Sequence, residues 1–184
     1  MSHLVGVDPG LSGALAFLDP NNPSTIETAD IPVHVLARGG KTKREIDIVE
    51  LIRLLATRHL THAFVEQVSS MPGQGLSSTF SFGKTYGAIL GVVASRSIPL
   101  TLVPSLRWKR ALHVPKAKDG ARARASQLLP EAAHQWRLRK DHGKAEAALI
   151  ALYGARQLSG TAAVPADLFV LSIPAAPQSL VEAR

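Results

Sequence analysis

The sequence predicts an α/β domain, and three observations carry the prediction. Strand-like runs, mostly apolar, lie at residues 4–7, 14–17, 25–31, 63–68 and 99–103. Helical segments separate the later ones: Ile48, Leu51, Ile52 and Leu55 fall at i, i+3, i+4 and i+7, and residues 76–96 run as one long helix. Two more helices, residues 120–129 and 139–154, follow the last strand. Three strands followed by alternating helices and strands describe a sheet with crossover helices.

At 184 residues the chain suffices for one sizeable core, and 46% hydrophobic with 19% charged residues is an ordinary globular composition. The absence of cysteine excludes a disulfide framework and any thiolate metal site. No apolar run approaches the roughly 18 residues of a membrane span, and the N-terminus has no signal-peptide pattern. No membrane partner is expected. The expected location is the cytoplasm, at the nucleoid of a bacterium or phage-infected cell, with an organellar origin also open.

Taken in order, residues 4–7 and 14–17 flank Asp8, Pro9 and Gly10, the pattern of a hairpin. Asp8 ends the first strand, where a carboxylate serves either as a turn former or as a ligand. A polar turn at residues 20–24 leads to a third strand ending before Pro32, and Gly39 to Arg44 read as a flexible basic loop, suited equally to a phosphate contact or to plain solvent. Glu66 lies near the end of a buried strand, where a charge needs a partner or a metal. The helix at 76–96 has an apolar second half suited to packing on a sheet. Its first half sets Phe80, Phe82, Lys84 and Tyr86 among small hydroxyls, which suits either base stacking with phosphate contact or burial in the core.

Asp119 is placed to cap the helix at 120–129, with Arg122 and Arg124 exposed. On the last helix Ala147 to Leu152 are all small or apolar. Asp141 at its start reads as a cap, but Glu146, a lone carboxylate on an apolar helix, does not. From Ser159 the composition turns to Ala, Pro and Ser, with one apolar island at residues 168–171. The expected organisation is therefore one domain over residues 1–158 and a partly disordered extension over 159–184.

The formal charge of +7 is unevenly spread. Residues 105–144 hold eleven basic side chains, among them Lys109, Arg110, Lys116, Lys118, Arg122, Arg124, Lys140 and Lys144, against three acids. That window carries the whole positive excess and points to a phosphate-binding surface. Carboxylates converging from the first strand, the fourth strand and the last helix would repel one another unless protonated or bridged by cations. Hard divalent ions resolve the conflict, and two such ions about 4 Å apart can activate water for phosphodiester hydrolysis. An acidic centre in a basic surround is what a metal-dependent nuclease requires.

The stretches Gly6-Val7-Asp8-Pro9-Gly10, Phe64-Val65-Glu66-Gln67 and Asp141-His142-Gly143-Lys144-Ala145-Glu146-Ala147 resemble the active-site motifs of RuvC-type Holliday junction resolvases. The Trp108-Lys109-Arg110 and Lys140-Asp141-His142 blocks match the plant chloroplast branch of that family. The resemblance spans about residues 4–157. It implies the RNase H-like fold, a mixed five-stranded sheet with helices on both faces. It also implies a homodimer that resolves a four-way DNA junction by paired nicks, and two Mg²⁺ or Mn²⁺ ions held by Asp8, Glu66, Asp141 and Glu146. The dimer contact is expected on the helix at 76–96. One departure matters: bacterial members place their last two acids three apart, whereas Gly143 stands three before Glu146 here. Asp141 or His142 then takes the fourth place, Asp141 ahead of His142. Two other readings stand beside this one. A non-catalytic binder of branched DNA would be weakened by its acids facing phosphate, and an actin-like ATPase needs far more chain. No nucleotide cofactor is expected.

Overall fold

The computed structural model describes residues 2–38, 40–69, 73, 75–160 and 170–171. The chain runs β1 (Ser2–Asp8), β2 (Ala14–Asp19), β3 (Asn22–Asp30), β4 (Val33–Arg38), β5 (Lys41–Ile46), α1 (Ile48–Ala56), β6 (His59–Gln67), α2 (Leu76–Ser95), β7 (Leu100–Pro104), α3 (Ser105–Ala111), α4 (Gly120–Leu128), α5 (His142–Ser159) and β8 (Val170–Leu171). Short 3-10 turns at Pro130–Trp136 and Arg139–Asp141 lead into α5.

The main sheet has the order β3-β2-β1-β6-β7-β8. Its first five members are the five strands legible in the sequence, and β8 adds two residues antiparallel to β7. β1 pairs antiparallel with β2 and parallel with β6, which makes the sheet mixed. Buried on both faces, β1 reads as a continuous apolar run. Alternation sends Val5 and Val7 into one core layer with Leu51, Leu55 and Ile89, from α1 and α2. Leu4 and Phe64 enter the other, with the alanine-rich body of α5 and with Trp108 and Trp136.

The layer under α5 is unusually thin at Gly6. A Cβ there would lie 2.3 Å from the Ala147 carbonyl oxygen and 2.4 Å from the Ala151 nitrogen. Gly154 repeats the device further along, with no room for a Cβ against the Phe64 ring. Helix α5 therefore rests on the sheet backbone to backbone, and Ala147, Ala148 and Ala151 are fully buried there.

Several sequence expectations shift. The stretch taken as a flexible loop is a two-stranded ribbon: β4 pairs with β5 from Val33 opposite Ile46 to Arg38 opposite Lys41, with Gly40 at φ +71° turning the chain. Gly40 thus supplies a positive φ of the kind a tight hairpin needs. β3 starts at Asn22 because Asp19 already pairs with it across a tight turn. On α1, Leu51 and Leu55 are buried while Ile48 and Ile52 stay exposed, so the predicted stripe is half used. Asp119 precedes α4 without a side-chain cap and ion-pairs with Arg122 at 2.9 Å instead. α5 ends at Ser159, and the proposed extension lies outside the described residues except for Gly160 and Val170–Leu171. Among the described residues no helix is long and apolar enough to cross a membrane.

The Gly6 contact yields a direct expectation. Gly6→Ala forces α5 off the sheet against backbone atoms that cannot rotate away. It should cost about 1–3 kcal/mol or more by overpacking, roughly 2–10 °C in a thermal melt. An unchanged melting temperature would show that the helix has slack there.

Candidate active site

Register and alternation alone bring the first two carboxylates together. Gly6 lies beside Phe64 and Val7 beside Val65 on parallel strands, so Asp8 and Glu66 are neighbours at the carboxyl ends of β1 and β6. Both share the face that α5 covers. Glu146 reaches them from above, one residue before Ala147, whose carbonyl touches Gly6. Asp8, Glu66 and Glu146 each offer a carboxylate oxygen within 4.8 Å of the others. Glu66 is 8% exposed, and the Glu146 side chain 12%.

The rest of the site hangs on α3, which begins directly after β7. Ser105, Trp108 and Lys109 stand at i, i+3 and i+4 and so share one helix face. The buried Trp108 indole donates Nε1–H to Glu66 Oε1 at 3.2 Å. The Ser105 hydroxyl hydrogen-bonds Glu66 as well. Lys109 Nζ lies 3.1 Å from Glu146 Oε1 and 4.9 Å from the Trp108 ring centroid. On α5 itself, His142 Nε2 lies 3.3 Å from Glu146 Oε2, one helical turn away.

This crowding changes the proton affinities. Burial, and then the charges of Glu146 and Glu66, push the Asp8 carboxyl up to about 8, with Lys109 pulling the other way. Glu66 is raised by burial and by Glu146, while Ser105, Lys109 and Trp108 oppose the rise. Three ionised carboxylates are stable here only with more positive charge than Lys109 brings. Oxygen donors at this spacing, with that deficit of cation, fit a hard divalent metal.

The structure does not bring Asp141 into this cluster. Its carboxylate accepts the Leu138 N–H at 3.2 Å and lies 3.9 Å from Lys144 Nζ, closing the 3-10 turn before α5. The order of preference read from the sequence is thus reversed in geometry: His142 touches Glu146, and Asp141 stands apart. The reason is that Asp141 precedes the helix and its backbone is committed to the turn.

The basic residues also sort. Lys116 and Lys118 are exposed and, with Lys109, His142 and Glu146, line a groove of about 370 Å³ beside the acids. Arg110 and Lys140 are exposed. Arg122 and Arg124, expected on the surface, are half-buried ties within the domain. Arg122 binds Asp119 and the Arg137 carbonyl, and Arg124 donates to the Leu112 carbonyl at 2.6 Å. Lys84 pairs with Glu45 at 2.8 Å, and Lys144 with Asp30 at 3.3 Å. Phe80 is 75% exposed, whereas Phe82 is half-buried. Residues 70–72 and 74, between β6 and α2, lie outside the described residues. Sequence reasoning missed Ser105, whose only signal was its place three residues before Trp108. Arg44, read from the sequence only as the end of a basic loop, donates to the Leu11 carbonyl and to the Ser12 hydroxyl in the turn after Asp8.

The architecture is the RNase H-like fold in its RuvC form. RuvC of Thermus thermophilus, solved in complex with a Holliday junction substrate, superposes with a TM-score of 0.55 at 14% identity, over 85% of this chain and 96% of that one. A second structure of Thermus thermophilus RuvC gives 0.49 at 16% identity, over 84% and 95%. In sequence, 94 residues are 31% identical to the chloroplastic Holliday junction resolvase MOC1 of Chlamydomonas reinhardtii. They make up 50% of this chain and only 11% of that protein's length. No family model matches the chain. The resemblance to RuvC-type resolvases read from three short motifs thus holds in both sequence and fold.

The raised Asp8 carboxyl has a measurable consequence in metal-free protein. The folded chain holds the Asp8 proton up to about pH 8, while the unfolded chain releases it near 3.8. Stability from this group is full below pH 4 and is lost as pH rises towards 8. Asp8→Asn removes the titration. It should raise the melting temperature at pH 8 by on the order of 5 °C or more, and change it little at pH 4. Equal effects at both pH values would place the Asp8 carboxylate in water.

Proposed function

We propose that the chain is a metal-dependent endonuclease that nicks four-way DNA junctions, working as a homodimer. The observation that carries the proposal is the Asp8–Glu66–Glu146 cluster, opening on a groove whose rim is Lys109, Lys116 and Lys118. The motif likeness to RuvC-type resolvases and the sequence match to a chloroplast resolvase support the choice of substrate. The chloroplast location of that relative keeps an organellar origin open alongside a bacterial or phage one.

Asp8, Glu66 and Glu146 would hold the metal, Mg²⁺ or Mn²⁺ and two ions in the full proposal. Bound there, it supplies Lewis acidity and a water of lowered pKa. The other residues act on their own account. Trp108 and Ser105 fix the rotation of the Glu66 carboxylate, which burial alone would leave undetermined. With Glu146 engaged at a metal, Lys109 would be free to meet the scissile phosphate and offset its charge. His142, exposed and one turn from Glu146, is placed to carry a proton to or from solvent. Asp141 takes part from the rim, through Lys144 and the turn that positions the start of α5.

Symmetric cutting asks for two sites related by a two-fold axis. Support for the dimer comes from α2, where a Cβ added at Gly83, Gly87 or Gly91 would meet nothing within 4 Å. Each mid-helix glycine costs about 0.5–1 kcal/mol relative to alanine, and a close-packed second helix would make use of the gap. Phe80 would then stand at the branch point.

Two measurements test the proposal. Asp8→Asn, Glu66→Gln and Glu146→Gln should each abolish Mg²⁺-dependent nicking of a synthetic four-way junction while binding is kept or tightened. Asp141→Asn should reduce nicking less than Glu146→Gln does. Near-normal nicking by any of the first three removes that residue from the metal site. Binding across salt concentrations separates the basic residues. Lys116→Ala and Lys118→Ala should each make the slope of log affinity against log salt shallower by about 0.9. Arg122→Ala and Arg124→Ala should instead lower the melting temperature, with the slope unchanged.

A further inference from the structure

The β4–β5 ribbon stands outside the main sheet and has no role in the chemistry just described. Residues 33–46 carry Arg38, Lys41, Lys43 and Arg44 against Glu45 alone. An isolated two-stranded ribbon is marginal in water, and this one is rooted at its base. Ile46 is buried, and Glu45 meets Lys84 of α2 at 2.8 Å. Beyond the root the ribbon is open to solvent at His34, Ala37 and Thr42, with Val35 62% and Leu36 43% exposed.

Its root lies against the acid cluster. Arg44 donates to Ser12 at 3.3 Å, and a Cβ on Gly143 would lie 2.8 Å from the Ser12 carbonyl oxygen and 3.0 Å from Asp8 Oδ2. The first turn of α5 thus divides two grooves. One holds Lys109, Lys116 and Lys118 beside Glu146. The other, about 420 Å³, is lined by Ser12, Arg44, Lys140 and Lys144 together with Asp30 and Asp141, three basic side chains against two acids, and reaches Val33 at the foot of the ribbon.

We propose that the ribbon is a second nucleic-acid-binding element, which grips the duplex arm leading away from the cut, with the Ser12–Arg44–Lys140–Lys144 groove carrying the backbone to it. The proposal rests on the nuclease reading above. Charge complementarity selects the partner: across the ribbon Arg44 pairs with Val35 and Lys43 with Leu36, so basic residues stand beside apolar ones, which suits phosphates beside sugars and base methyl groups. A protein partner would ask for a contiguous apolar face. The dimensions agree as well. Six-residue strands extend about 20 Å, the length of roughly six base pairs, and a two-stranded ribbon fits a groove roughly 12 Å wide.

The test compares junctions with long arms, roughly 15 base pairs, and arms of roughly five, bound by the full chain in the Glu146→Gln background. The triple variant Arg38→Ala, Lys41→Ala, Lys43→Ala should bind the long-armed junction roughly tenfold more weakly, with a salt slope shallower by about two to three. Its affinity for the short-armed junction should change less than twofold. Hydroxyl-radical footprinting of the chain without the ribbon changes gives an independent readout. Protection reaching about six base pairs along an arm supports the ribbon contact, and protection ending at the branch overturns it. An unchanged slope on long arms also overturns it, as does a shift of the triple variant from dimer to monomer, which would make the ribbon a contact between copies. A chain that binds plain duplex as tightly as junctions sinks the junction reading instead, and the ribbon is then judged by the same comparison on duplex.

Discussion

The structure depends on the contact between α5 and β1 at Gly6. Nothing larger than hydrogen fits between that strand and the Ala147 and Ala151 backbone, so helix and sheet meet at their closest possible distance. Glu146 is adjacent in sequence to the residue that makes the contact. Its carboxylate therefore inherits the precision of a backbone-to-backbone packing, and not the looseness of a long side chain on a distant helix. Gly143 repeats the arrangement one turn earlier, where the start of α5 presses on the Ser12 carbonyl and the Asp8 carboxylate. An alanine-rich helix looks unspecific in composition, yet small side chains are what permit this approach.

That precision brings an electrostatic cost. Three acids fixed within 4.8 Å of one another on a buried surface cannot all ionise unaided, and the Asp8 carboxyl is pushed up to about 8. The repulsion is eased wherever positive charge approaches the three acids. Lys109 relieves part of it from one side, and Trp108 and Ser105 hold Glu66 in place from β7's continuation into α3. The aromatic ring buried beneath Lys109 also limits where that ammonium can go. Under the proposed function, stability and activity would pull against each other here, since amide substitutions that relax the repulsion would also remove the carboxylates proposed to hold a metal.

Positive charge is divided between two tasks that composition cannot separate. Arg122 and Arg124 lie in the basic window yet tie α4 to neighbouring carbonyls, where a planar guanidinium with several donors satisfies oxygens that would otherwise be orphaned. The lysines at 116 and 118 are exposed and line the groove. The ribbon adds a basic element well outside that window, at residues that looked unstructured because Gly39 and Gly40 interrupt the pattern.

By itself the sequence determined the α/β class, the five strands of the sheet and three of the carboxylates, because strand alternation and an anomalous charge on an apolar segment are local signals. Glu146 stood out for that reason, and Glu66 for the same one. Its resemblance to RuvC-type resolvases carried the fold's name, which periodicity does not encode. Tertiary structure alone decided what required distances between remote residues. It turned Asp141 to the Leu138 N–H and left His142 beside Glu146, although the two are neighbours in the chain. It brought Ser105 and Trp108 to Glu66 across about 40 positions, made two arginines structural, and folded residues 33–46 into a ribbon whose root touches the turn after Asp8. Which partner a polar side chain finds depends on the whole packing around it, and no local pattern contains that.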